Sequence, residues 1–253
     1  MMGYKGNIGN RGNKGNERKL IFPSCISLIS LISLISLFPF SCTKDKSPAP
    51  SFDFGYNYFP DEVNRYCIYQ VDSIAQDDVA GKRDTIRYLL KEVIAATFLD
   101  NSGRPALRIE RFYKMYNDSV PYDSMNWIGP RIWFANKTAS AFEKVEENIR
   151  YIRLVFPVTE GKQWNGNAYN SFVEREYEII SVEQPETINN NYFDSVVTVK
   201  QFENINAIEN IYEAEKYARN VGLIYKQRDS IYHGGGEDTV GYTFTQKIIS
   251  YGK

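Results

Sequence analysis

Histidine and cysteine are nearly missing from this chain: one His, at 233, and three Cys, at 25, 42 and 67. A histidine-based zinc site is thereby excluded, because zinc takes three or four His, Cys or carboxylate ligands. A Ser-His-Asp triad would have to use His233, and no G-x-S-x-G elbow accompanies it. H-E-x-x-H, C-x-x-C and the Walker lysine loop are absent too, and no cofactor is expected. Charge of one sign is also lacking. The 30 basic side chains face 31 acidic ones, which leaves no footprint of a nucleic-acid partner.

Of the cysteines, Cys25 lies in an apolar run, Cys42 follows its end, and Cys67 sits well beyond. Residues 43–253 contain no second cysteine to pair with Cys67, which reads as a buried thiol in a strand. This part carries 25 basic and 30 acidic side chains, an ordinary soluble surface. It is long enough to bury a sizeable core without a disulfide. The chain is rich in Tyr (19) and Phe (15), and aromatic enrichment favours strands.

The N-terminal region is organised differently. Residues 6–16, GNIGNRGNKGN, repeat Gly-Asn-x without the proline of a collagen helix and read as a polar lead. Five of the first 42 residues are basic and one is acidic, and an apolar run from Leu20 to Phe40 follows. A basic segment before an apolar one is the architecture of an export signal. The run is long enough for a helix to cross a bilayer, which takes about 20 residues, so an uncleaved signal anchor is the competing reading. Serine at every third position of ISLISLISLISL, with Pro23 and Pro39 near the ends, argues against a lasting span.

Ser41-Cys42-Thr43 and the polar segment KDKSPAPS come next. This arrangement resembles a bacterial lipoprotein signal, which implies that Cys42 becomes the first mature residue and carries acyl chains, palmitate among them. The sequence departs from that pattern at Pro39, where leucine is preferred, and at Phe40, which is large for its place. Several acyl chains anchor far better than one, at about 0.8 kcal/mol per buried methylene. The expected organisation is a signal peptide over 1–42, a tether over 43–55 and one β-rich domain over 56–253. The two prolines of the tether favour an extended spacer.

From Tyr56 onward, short alternating segments are separated by turn signals. Residues 85–99, TIRYLLKEVIAATFL, fit a helical stripe and a strand face almost equally. The Asp100-Asn101-Ser102-Gly103 turn and the alternation after it favour a hairpin. Segments 149–158, 173–182, 195–202, 221–232 and 240–251 read as further strands. Such spacing predicts a mainly β fold with one antiparallel domain, either a curved sheet or half-barrel or a sandwich. One short helix is predicted near 205–219, where Ile205, Ile208, Tyr212 and Ala218 can share a face.

Three segments, KEVIAATFLDNSGRPALRIERF, EENIRYIRLVFPVTEGKQWNGNAYN and EKYARNVGLIYK, resemble an uncharacterised group of exported lipoproteins from Bacteroidota. With the signal they cover under half of the chain. The resemblance implies an envelope location and a β-rich domain, and implies no activity; the expected localisation is a lipid anchor in the bacterial envelope, at the outer membrane.

Few motifs carry chemistry. His233-Gly234-Gly235-Gly236 spells the HGGG of lipase oxyanion holes, but without a nucleophile elbow it reads as a hairpin loop. Glu143, Glu146 and Glu147, like Glu174, Glu176 and Glu178, have the spacing of a solvated face. Trp127, Trp133 and Trp164 sit in or beside expected loops and are the candidate ligand-binding residues, since tryptophan buries much area while keeping a polar tip. Three functional readings follow: a non-catalytic binding or accessory module for a lipid, glycan or protein partner, a carboxylate-based hydrolase acting on glycans, and a structural component of an envelope complex.

Overall fold

The computed structural model describes residues 52–234 and 238–253. Cys42, the apolar run, the Gly-Asn-x lead and the last two glycines of HGGG, Gly235 and Gly236, lie outside the described residues. Among those described, no helix is long and apolar enough to cross a membrane.

Twelve strands form one antiparallel sheet: β1 (Tyr66–Asp77), β2 (Lys82–Leu99), β3 (Pro105–Met115), β4 (Ile128–Lys137), β5 (Ala141–Glu146), β6 (Ile149–Val155), β7 (Gln163–Asn165), β8 (Glu176–Ile188), β9 (Asn191–Ile205), β10 (Glu209–Ala218), β11 (Gly222–His233) and β12 (Thr239–Gly252). The only helical pieces among the described residues are single 3-10 turns at Tyr56–Tyr58 and Tyr122–Ser124. The first six strands run as a meander from β1 to one edge. The chain then crosses to the opposite edge at β7 and returns strand by strand until β12 pairs with β1.

The hairpin predicted around residue 100 is present. Gly103 takes φ 72°, a left-handed conformation that glycine adopts without strain. The Asp100 carboxylate accepts the backbone N–H groups of Ser102 and Arg104. Residues 85–99 are strand β2, paired to β1 and β3 on its two sides.

The sheet curls until its edges almost meet, giving a barrel that is nearly closed. At the seam, Ile152 on β6 donates its N–H to the Gly166 carbonyl at 3.0 Å, and the Trp164 indole N–H donates to the Ile152 carbonyl at 2.9 Å. Closure removes exposed edges that would otherwise template aggregation. Glycine is required here by space, since a Cβ on Gly166 would lie 2.4 Å from the Tyr177 ring.

The helix predicted over 205–219 is a correction. These residues end β9 and form β10, which pairs with β9 and β11. The helical stripe was a coincidence of spacing. The true alternation was disguised because Glu213 and Glu215 face the same way as buried Tyr217, so one strand face mixes acid with aromatic.

Two apolar clusters fill the interior. One gathers Tyr58, Phe142, Leu154, Ile179, Val199 and Tyr217, the other Tyr69, Val71, Leu90, Ile224 and Ile248. The segment before β1 is part of the packing. Tyr58 is fully buried, Phe59 stacks on Phe142 with ring centroids 3.6 Å apart, and Asn220 donates its N–H to the Asn57 carbonyl. Asp53 pairs with Arg219 at 2.5 Å, so fixed contacts begin ahead of Tyr56.

Candidate functional site: a charged cavity inside the barrel

Behind Phe59 and Pro60 the barrel encloses a cavity of about 240 Å³. Aromatic residues form part of its wall, among them Tyr69, Tyr88, Trp133, Phe142 and Phe244. The rest is charged. Glu92 on β2, Arg111 on β3, Lys144 and Glu146 on β5, Arg153 on β6, Glu215 on β10 and Lys226 on β11 all line it. Each of these seven side chains is at most 12% exposed.

Strand register explains why these groups converge. Glu92 lies directly opposite Arg111, Glu215 opposite Lys226, and Lys226 opposite Gln246. Directly opposed residues project to one face of a sheet. Arg153 arrives by another route. Phe142 pairs with Leu154 and Glu143 with Ile152, leaving Arg153 as the extra residue of a bulge. Bulges re-aim side chains in this way.

Three ion-paired centres result. Glu92 binds Arg111 at 2.8 Å and Lys144 at 3.1 Å. Glu146 lies 2.9 Å from Arg153 and 3.8 Å from Lys226. Glu215 lies 2.9 Å from Lys226 and 3.6 Å from Arg153, and also accepts the Tyr217 hydroxyl. Trp133 lies against this layer. The Arg111 guanidinium sits 3.4 Å from its ring centroid and Lys144 4.9 Å, while its indole N–H donates to Glu147.

Protonation follows from these contacts. Burial pushes the Glu146 carboxyl up, but Arg153, Lys226 and Lys144 outweigh it and hold the group at about 2. Burial likewise opposes ionisation of Glu215 and Glu92, and their cationic partners lower both. Lys226 goes the other way: burial depresses it to about 8 in spite of Glu146 and Glu215. Cys67, on the cavity wall, is pushed up to about 12 by burial, and its thiol points at the Val221 carbonyl 3.8 Å away. It has the character of an inert strand thiol.

Glu143 and Glu146 therefore do not lie on a solvated face as their spacing suggested. Glu143 is 3% exposed and Glu146 pairs with interior cations. Arg150 and Arg153 reach them from the neighbouring strand β6, while Arg104 and Lys226 come from far away in sequence. The second acidic run behaves as expected at Glu174 and Glu176, which are exposed. Among the described residues, no three His, Cys, Asp or Glu side chains are placed to hold a metal ion.

The three tryptophans do not converge. Trp133 lines the cavity. Trp127 is half-buried beneath Lys114, whose ammonium sits 4.8 Å from the ring centroid. Trp164 spends its indole N–H on the closing seam and packs edge-on to Tyr177. His233 ends β11 opposite Thr239, where β11 turns back into β12. The charged residues of the cavity escaped sequence reasoning. The signal they left was charge at inward positions of strands, as in Glu213-x-Glu215 and Lys226-x-Arg228, and it is recognisable only once the register is known.

No family model matches the chain, and no curated protein matches it. Two solved structures do. One, from Bacteroides fragilis, is described as an exported protein with a YmcC-like fold; it is 12% identical, covers 79% of this chain and 100% of its own, and has a TM-score of 0.38. The other, described as a lipoprotein from Parabacteroides distasonis, is 11% identical with the same coverage and a TM-score of 0.34. Neither likeness is close enough to carry fold or function across.

Proposed function

We propose that this is an exported, lipid-anchored protein of the bacterial envelope whose barrel is a non-catalytic binding module. Protein interiors are ordinarily packed to crystal-like density. This one keeps a cavity of about 240 Å³ bounded by aromatic and charged side chains, with Trp133 as the residue that offers a flat apolar surface beside cations. That cavity is the observation that carries the binding reading. Anchoring rests on Cys42 at the end of an apolar run, followed by a proline-containing spacer. The outer membrane is the destination this reading assigns.

The ionisation of the cavity speaks against hydrolysis by a carboxylate pair. A glycosidase needs one carboxyl raised so that it can donate a proton, whereas Glu92, Glu146 and Glu215 are all lowered. Mass spectrometry of the membrane-extracted protein tests the anchor. Wild type is expected to begin at an acylated Cys42 and Cys42→Ala to lack the lipid; a wild-type chain that retains Met1 without acylation overturns it. For the barrel, denaturing extraction of the purified protein should release a small molecule. A stoichiometric protein partner with an empty cavity would favour a structural component instead.

A further inference from the structure

The geometry points to an anionic organic ligand, a carboxylate or phosphate head on an aromatic or apolar body, seated in the barrel cavity. This rests on the binding-module reading and specifies what the module binds.

Charge balance is the first support. The seven buried ionisable side chains of the wall comprise four cations, Arg111, Lys144, Arg153 and Lys226, and three carboxylates, Glu92, Glu146 and Glu215. Arg65 and Arg228 also line the cavity; Arg65 pairs with Glu62 at 3.2 Å, whereas Arg228 lies 3.9 Å from Glu213, which Arg175 binds at 2.6 Å. At least one positive charge is therefore left over. An uncompensated buried charge is costly, and one anion would neutralise it.

The second support is unused hydrogen-bonding capacity. Arg153 is 1% exposed, and its Nε and Nη2 make no hydrogen bond. Nη2 lies close to Glu146 Oε2 but off the bonding direction, and only Nη1 is engaged, with the Tyr177 hydroxyl at 3.3 Å. Buried guanidinium donors are normally satisfied. Two empty donors on a fully buried arginine at a cavity wall are where an anionic head would bond.

The third is size and lining. A single water needs only about 10–15 Å³ measured as space for its centre, so about 240 Å³ admits an organic molecule and not only an ion. Trp133, Phe59, Tyr69 and Phe142 supply apolar surface for its body.

The test uses the full chain in non-ionic detergent, freed of bound small molecules by dialysis and titrated calorimetrically with 3-phenylpropionate, phenyl phosphate and the neutral 3-phenylpropanol. The two anions are expected to bind at least tenfold more tightly than the alcohol, and whichever anion is tighter identifies the head group. Lys144→Met lowers the positive charge of the cavity wall by one while Glu92 keeps Arg111, and should weaken anion binding at least tenfold with the alcohol unaffected. Lys144→Arg should restore it. Circular dichroism and melting of each variant establish that the barrel is folded. Equal binding of all three probes, or an unchanged Lys144→Met, overturns the anion assignment while leaving a binding module in place. No binding by any probe, with no small molecule released from the purified protein, overturns both readings.

Discussion

Two clusters of charged residues stand within the same barrel and solve the problem of buried charge differently. Beside the β2–β3 turn, Asp100 and Glu143 meet Arg104 and Arg150, two acids against two bases. Asn136 completes the set, donating to Asp100 and to the Pro105 carbonyl and accepting from Arg150. Arg104 is 39% exposed and Arg150 20%, so water shares their solvation. The cavity cluster is more deeply buried, holds four bases against three acids, and leaves Arg153 donors unused. A balanced, satisfied cluster at a turn needs only a structural explanation. An unbalanced one with unused donors at a cavity wall is what carries the anion assignment.

Breaking this contrast starts with Glu215→Gln. It strips Arg153 and Lys226 of a fully buried partner, and urea unfolding should show a loss of about 3–5 kcal/mol. Glu143→Gln in the turn cluster should cost less, about 2 kcal/mol, because the arginines it releases can turn to water. Equal losses would mean that the two clusters do not differ in kind.

Acid titration of stability comes next. The Glu146 carboxyl is lowered from 4.5 to about 2 in the folded protein, so the unfolded chain takes up its proton first as pH falls. Its contribution, about 3 kcal/mol, is complete above the unfolded value and is lost between about pH 4.5 and 2. Glu92 and Glu215 shift in the same direction and add to the loss. Chemical unfolding at a series of pH values checks this, and a flat profile over that window would contradict the assigned pairing.

Lys144→Met sharpens the comparison at smaller scale. Replacing one of the two cations on Glu92 by an apolar chain of similar length should change stability by about 1 kcal/mol or less, because Arg111 still pairs with the carboxylate. Arg104→Ala, on the exposed rim of the turn cluster, should cost less than about 1 kcal/mol by thermal or urea unfolding.

Much of the fold was legible in the sequence because most strands bury apolar side chains in alternation and are bounded by turn residues. The Asp100–Gly103 turn is the clearest case, since its backbone geometry needs a residue like Gly103 and the Asp100 carboxylate to bond it. β10 was misread because its inward positions are Glu213, Glu215 and Tyr217, and a polar interior breaks the rule on which strand periodicity depends. The site was less visible. Trp133 was a candidate on its residue type alone, and it does line the cavity, yet Trp127 and Trp164 had the same credentials and lie elsewhere. Glu146 looked solvated because its partners, Arg153 and Lys226, reach it through a bulge and from a strand some 80 residues on.

By itself the sequence determined the chemistry that this chain lacks, the β-rich character of residues after Tyr56 and the signal-like pattern ending at Cys42, all properties of composition and local order. Only the tertiary structure decided that the sheet closes on itself through Trp164 and Gly166. It alone decided that seven charged side chains from six strands meet inside. The physical reason is that closure and charge pairing depend on register between distant strands, and register is set by which faces can be buried together rather than by any local run of residues.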